Sequence, residues 1–155
     1  MTDIDHPALN DTVRRILDGP HLSVLATTDA DGKAQTSVIF VKREDDHILF
    51  STITGRRKTT NMGRDPRVNL LVHAFPAFGP PYATISGTVE LTDDPHGSFH
   101  QEMYDIHMGG ATPPPEPGAK RVIVRIIPRR VYLPPAYDPG PDTAGVADEP
   151  RAQDR

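Results

Sequence analysis

Between His21 and Ile53 the chain runs through three short strands joined by two polar turns, a pattern that leaves few folds open. His21 to Thr27 is a short, mostly apolar strand. Asp29-Ala30-Asp31-Gly32 is a hairpin turn, with Gly32 free to take positive φ. Lys33 to Lys42 resumes as a strand, Arg43 to Asp46 is a second polar turn, and His47 to Ile53 is a third strand. Turns this short join antiparallel neighbours, because a parallel pair needs a crossover of a dozen or more residues.

The remainder extends the same design. Residues 7 to 18 read as a helix with Leu9, Val13, Ile16 and Leu17 on one stripe and Gly19-Pro20 as its stop. Thr54 to Gly63 reads as a short helix, and Arg67 to Ala74 is a fourth strand. The loop FPAFGPP follows at residues 75 to 81, and Tyr82 to Leu91 alternates cleanly as a fifth strand. Asp93-Asp94-Pro95 opens a helix, with acids at its N-terminus and Pro at N1, that extends to about Met108. Gly109 to Gly118, with four prolines, is a long stiff loop. Arg121 to Ile127 is the sixth strand, and Arg130 to Leu133 extends it after Pro128. Six or seven hairpin-linked strands interrupted by helices predict a mainly β (α+β) fold, a small antiparallel barrel with flanking helices.

At 155 residues, length favours one domain, placed at residues 1–135. The last twenty residues carry five acids against two arginines and are rich in proline, so residues 136–155 read as a disordered acidic tail. The chain is net −4, of which the tail supplies −3, so the folded part is close to neutral. Global charge therefore suggests neither nucleic acid nor a membrane surface as partner. No apolar run approaches the roughly 20 residues of a spanning helix, which makes a cytoplasmic protein the expectation. Cysteine is absent, which removes thiolate nucleophiles, disulfides and cysteine-ligated metals.

Against that background the segment from Ile48 to Val72 stands out. An apolar strand ends in the hydroxyl donors Ser51 and Thr52, then come Gly55 and the cations Arg56, Arg57 and Lys58. Arg64 and Arg67 add to these, and Asp65 is the sole local acid, so the segment is net +4 inside an acidic chain. Gly55 lets a backbone approach a ligand closely, and Arg56 offers a planar fork suited to phosphate. Lys58 offers a point charge, and the amides opening the next helix add their dipole. The alternative is a solvated basic turn before an ordinary helix, since this is not a Walker loop.

LATTDADGKAQTSVIFVKREDDHILFSTITGRRKTTNMGRDPRVNLLV resembles the pyridoxamine-phosphate-oxidase-like split barrel, and within it the flavin and deazaflavin oxidoreductases that use coenzyme F-420. The similarity continues through SGTVELT and IIPRRVYLPP, covering roughly residues 8 to 135. The resemblance implies a split barrel that binds its cofactor in a groove between the subunits of a homodimer. It implies that Arg56 and Lys58 hold the cofactor phosphate, supported by Ser51 and Asn61. It also implies that Gln35, Thr36, Ser37 and Val38 lie along the tricyclic ring. The acidic tail replaces the extension in which pyridoxamine oxidases carry further substrate-binding residues, which argues against vitamin B6 oxidation.

Such a protein transfers a hydride to or from a small conjugated organic substrate and needs no side-chain nucleophile, because the cofactor carries the chemistry. Gln35 or Ser37 would stabilise charge on a reduced ring, and the protonating acid would be solvent, Tyr82 or His73. Thirteen arginines against four lysines suggest a high-GC genome and favour F-420 over FMN. Arg57 and Arg64 would meet the anionic tail of a deazaflavin, or else remain surface charges. His96 and His100, spaced i, i+4, with His107 beyond, read as exposed or partner-facing and not as a metal site. They also mark the competing class, a non-catalytic barrel that binds a cofactor or tetrapyrrole.

Overall fold

The computed structural model describes residues 9–74 and 81–136. The expected acidic tail beyond Ala136 and most of the FPAFGPP loop therefore lie outside the described residues. Three helices, α1 (Asp11–Asp18), α2 (Arg57–Arg64) and α3 (Ser98–His107), accompany seven strands. These are β1 (His21–Thr28), β2 (Ala34–Ile39), β3 (Lys42–Glu44), β4 (His47–Ile53), β5 (Arg67–Ala74), β6 (Tyr82–Asp93) and β7 (Arg121–Tyr132). All neighbouring strands pair antiparallel, in the order β2-β1-β5-β6-β7-β4-β3. The architecture is the mainly β split barrel expected.

The connection between β2 and β3 dictates the curl. They lie at opposite edges of the sheet, yet only Phe40 and Val41 separate them in sequence. Three Cα steps span at most about 11 Å. Seven strands laid flat would put those edges about 29 Å apart. The sheet must close on itself, and strand alternation then sorts the side chains. Leu25, Ile48, Phe50, Leu70, Val72, Ile85, Val124 and Ile126 point inward and are fully or almost fully buried. The stripe Val13, Ile16 and Leu17 of α1 joins this same core.

Local chemistry moves several expected boundaries. α1 begins at Asp11 because the Asn10 side chain caps it, accepting from the Val13 amide at 2.9 Å. Leu9 is buried just ahead of the helix, and its amide bonds Asp46 at 3.1 Å. Arg43 and Glu44, expected in a turn, pair with Ile48 and His47 as β3, leaving Asp45-Asp46 to turn the chain. α3 starts at Ser98 with Gly97 at its N-cap, so Pro95 is not its N1 residue and His96 lies before the helix. Pro95 and His96 instead occupy a tight turn, closed by the Gly97 amide donating to Asp94 O at 3.0 Å.

β7 runs unbroken through Pro128 because the register shifts there. Gly87 faces Pro128 and Ser86 faces Arg130, so Arg129 is the extra residue of a bulge. A Cβ on Gly87 would sit 2.4 Å from the Ile127 carbonyl oxygen, so only glycine lets the two backbones approach this closely. Among the described residues no helix is long and apolar enough to cross a membrane.

Candidate functional site

On β4 the residues facing the barrel interior are Ile48, Phe50 and Thr52, while Leu49 and Ser51 face out. Leu49 packs beneath Phe99 and Met103 of α3 with Ile123 beside them, and this small second core seats α3 across β4 and β7. Ser51 lies one strand period further on, at the open margin of that contact. Its hydroxyl is buried and has no hydrogen-bond partner among the described residues. A buried hydroxyl without a partner is costly, and it marks a place where a further acceptor or donor fits.

Beyond β4 the chain reverses at Gly55, whose φ of +86 suits glycine. Arg56 is the N-cap of α2 and makes no side-chain cap bond, leaving the first-turn amides without that partner. Buried polar side chains then pin the helix. Thr59 Oγ1 donates to the Ile53 carbonyl at 2.7 Å and lies 3.3 Å from Thr52 Oγ1. Asn61, only 3% exposed, donates from Nδ2 to Thr27 Oγ1 at 3.0 Å and to Asp29 Oδ1 at 2.9 Å. Met62 plugs the core from the same helix.

These ties divide the five cations of the segment. Arg57 forms a two-pronged pair with Asp29, its Nε donating at 2.8 Å, and this pair holds the Asp29 carboxyl below the usual carboxylate range. Arg64 donates to the Thr28 carbonyl and to Asn61 Oδ1. Arg67 chelates Asp65 at 3.0 and 2.8 Å and lowers its pKa to about 2. Of the two roles open to Arg57 and Arg64, the structure shows both bonded within the protein, where they attach the helix. Arg56 and Lys58 turn to the other side.

There, a cleft of about 230 Å³ opens between β2, α2 and α3. Val38, Ile39 and Phe40 line it together with Ser51, Arg56 and Lys58. His100, Met103 and Tyr104 of α3 complete the lining with Glu116 and Arg121. Lys58 Nζ donates to Ser37 Oγ at 3.4 Å, its one hydrogen bond among the described residues. Burial lowers the Lys58 pKa, and the Arg56 guanidinium lowers it further. Glu116 sits with Arg121 and lies 3.7 Å from Arg56. His100 meets Tyr104 edge-on at 5.0 Å, and burial followed by the Arg121 charge depresses its pKa.

The residues named from sequence are therefore distributed unequally. Val38, Ser51, Arg56 and Lys58 line the cleft, and Ser37 joins through Lys58. Gln35 accepts from Thr27 Oγ1 at 2.7 Å and donates to the Thr36 carbonyl at 3.1 Å. Thr36 is exposed on β2, whereas Thr52 and Asn61 are buried and bonded within the protein. His73 and Tyr82 face each other across β5 and β6, away from the cleft. Glu116, Arg121, His100 and Tyr104 were not singled out for this place.

Two larger depressions lie elsewhere. In one, of about 790 Å³, Arg43 is paired with Asp18, Lys42 with Glu102, and His107 with the Val41 carbonyl. In the other, of about 720 Å³, Arg67 is held by Asp65 and Ser86 bonds Asn69. The charged groups there already have partners, whereas the smaller cleft joins a lysine with no acid partner among the described residues to an orphaned hydroxyl. Among the described residues no cluster of three or more metal-ligating side chains occurs.

Residues 9–133 match the pyridoxamine 5′-phosphate oxidase family model. Among solved structures, an F-420 reductase shares 28% identity with a TM-score of 0.71, over 80% of this chain and 98% of that one. A conserved hypothetical protein from Mycobacterium tuberculosis is 22% identical, with a TM-score of 0.65 over 86% and 88% of the two chains. A putative pyridoxamine 5′-phosphate oxidase from Listeria innocua is 18% identical, with a TM-score of 0.62 over 79% and 95%. The last two show likeness of fold alone.

Proposed function

The chain belongs to the pyridoxamine 5′-phosphate oxidase family, and on that footing we propose that it is an oxidoreductase that anchors the phosphate of coenzyme F-420 in the cleft between β2 and α2. The observation that carries this reading is Lys58. Among the described residues it is a partly buried lysine with no acid partner, set beside Arg56 and sharing its cleft with the unpartnered Ser51 hydroxyl. Burial and the neighbouring Arg56 charge both disfavour the Lys58 ammonium, and an anion of phosphate size offsets that cost. The likeness to an F-420 reductase favours the deazaflavin over FMN, which the same phosphate clamp would also serve and which is the second reading.

In this reading Arg56 and Lys58 bind the phosphate, the Ser51 hydroxyl donates to it, and Ser37 positions Lys58. Val38 and Phe40 supply apolar wall. When bound, the deazaflavin would supply hydride exchange with a small conjugated substrate, and the protein would supply orientation and electrostatics. The cleft's 230 Å³ suits a phosphate and its neighbouring atoms but is smaller than a full cofactor site. The remaining cover comes from a second copy of the chain, and the functional unit is a homodimer.

The test is a visible spectrum of the purified protein followed by separate fluorescence titrations with FMN and F-420. We expect F-420 to bind and Lys58→Ala to weaken it by about tenfold or more. A yellow protein that prefers FMN would replace the deazaflavin with a flavin. Wild type that binds neither but takes up haem would belong to the non-catalytic class.

A further inference from the structure

We infer that Glu116 is a built-in carboxylate ligand that occupies a second anion subsite, formed by Arg56 and Arg121, and that it sets the selectivity of the cleft between ligands with one anionic group and ligands with several. This rests on the reading of the cleft as a cofactor-phosphate site.

The cleft holds three cations and one acid, and they are not mixed evenly. Lys58 is bonded only to a hydroxyl, so its position is open to an anion. Arg56 and Arg121 instead converge on the two oxygens of Glu116, Arg56 at 3.7 Å from Oε1 and Arg121 in direct contact with Oε2. The Arg121 side chain is only 13% exposed, so its pair with Glu116 is largely shielded from water. A carboxylate already sits where a ligand carboxylate would bind, a few atoms from the open phosphate position.

The segment carrying Glu116 suits such a role. Residues 111 to 116 have no helix or strand, and Pro113, Pro114, Pro115 and Pro117 remove backbone donors around Glu116. The ties on this stretch lie at its ends: the Ala111 amide donates to the Met108 carbonyl at 3.2 Å, Gln101 donates to the Ala111 carbonyl at 3.3 Å, and the Ala119 amide donates to the Glu116 carbonyl at 3.0 Å. The charged pair with Arg121 and Arg56 is therefore a principal attachment of the segment, and losing it costs little other structure. A ligand with a single phosphate binds between Lys58 and Arg56 and leaves Glu116 on Arg121, its tighter partner. A ligand whose phosphate is followed by carboxylates must displace Glu116 to engage Arg121, and the segment then swings free.

The experiment compares FMN, which carries one phosphate, with F-420, which carries a phosphodiester and carboxylates, on wild type and Glu116→Gln. We expect the substitution to tighten F-420 by about fivefold and FMN by no more than about twofold, since it removes a competitor that only F-420 meets. Equal factors, no change, or weaker binding of F-420 would overturn the inference. Hydrogen exchange on wild type gives a readout independent of the variant's folding. The amides of Ala111 and Ala119, which donate to the Met108 and Glu116 carbonyls, should exchange faster with F-420 bound and be unchanged with FMN, and protection by both ligands would overturn it. If wild type binds neither ligand, the phosphate reading itself fails and this one with it. If wild type binds both and Glu116→Gln behaves identically, only the role of Glu116 fails.

Discussion

At the scale of the residue, five cations that look alike in one stretch of sequence differ in what they face. Arg57, Arg64 and Arg67 are tied to Asp29, Thr28 and Asp65, and they hold the turn together. Lys58 is the exception, and its lowered pKa states the cost. Burial and the Arg56 charge disfavour its ammonium form in the fold, so the unfolded chain binds the proton more firmly. That penalty is present at neutral pH and disappears only as pH rises toward the free-lysine value. Lys58→Met should therefore raise the melting temperature at pH 7 by roughly 1–3 °C while abolishing tight phosphate binding. A thermal melt paired with the cofactor titration checks both. A melting temperature that falls would show Lys58 to be structural.

At the scale of the element, α2 and α3 are placed by means that differ from helix propensity. α2 contains Thr59, Thr60 and Gly63, poor helix formers. Its attachment comes from Asn61, Thr59 and Met62, buried against β1, β4 and the core. α3 is seated by Phe99 and Met103 at its start and by His107 at its end. His107 stacks on Phe40 at 4.8 Å, and its Nε2 lies 2.9 Å from the Val41 carbonyl. Burial lowers the His107 pKa, and the nearby His21 adds to the shift, although the Val41 carbonyl opposes it. The unfolded chain then takes up the proton first, so the stabilisation is complete above about pH 6.5 and is lost as pH falls toward the lowered folded value. His100 shifts in the same direction. Melting temperature should drop between about pH 7 and pH 5, and less steeply in His107→Gln. Equal slopes in the two proteins would remove His107 from the account.

At the scale of the whole molecule, the two-residue crossing at Phe40 and Val41 both closes the barrel and shapes its surface. Val41 is buried, whereas Phe40 is 52% exposed and Val38, two residues earlier on the same face, is 66% exposed. Ile106 and Met108 at the end of α3 are exposed as well, and Phe40 contributes to both the cleft and the large depression beside it. Large apolar side chains gathered along the open wall of a ligand cleft mark an interaction surface, and a second copy of the chain is the partner we propose. Sedimentation should find a dimer. Phe40→Ser combined with Val38→Ser should yield folded monomers that bind F-420 at least tenfold more weakly, because half of the site's cover is lost. Monomeric wild type with full affinity would remove the dimer from the reading.

The strand alternation, the short polar turns and the Gly55-Arg56-Arg57-Lys58 run were legible in the sequence because they depend on near neighbours. Backbone period and turn chemistry determined an antiparallel barrel with a cationic turn after its β4 strand. Local capping misplaced ends, as at Asn10 and Gly97, and the single strand expected from Lys33 to Lys42 divides at Phe40-Val41 into two strands at opposite edges of the sheet. What remained out of reach depends on residues far apart in the chain. Asp29 lies 28 positions from Arg57, so nothing local says that Arg57 is neutralised while Lys58 is not. Glu116 and Arg121 sit some 60 residues beyond Arg56, and only the pairing of β4 with β7 brings them to one cleft. Sequence by itself determined which charges the turn carries. Tertiary structure decided which of them stay available, because availability depends on the partners that barrel closure sets beside each one.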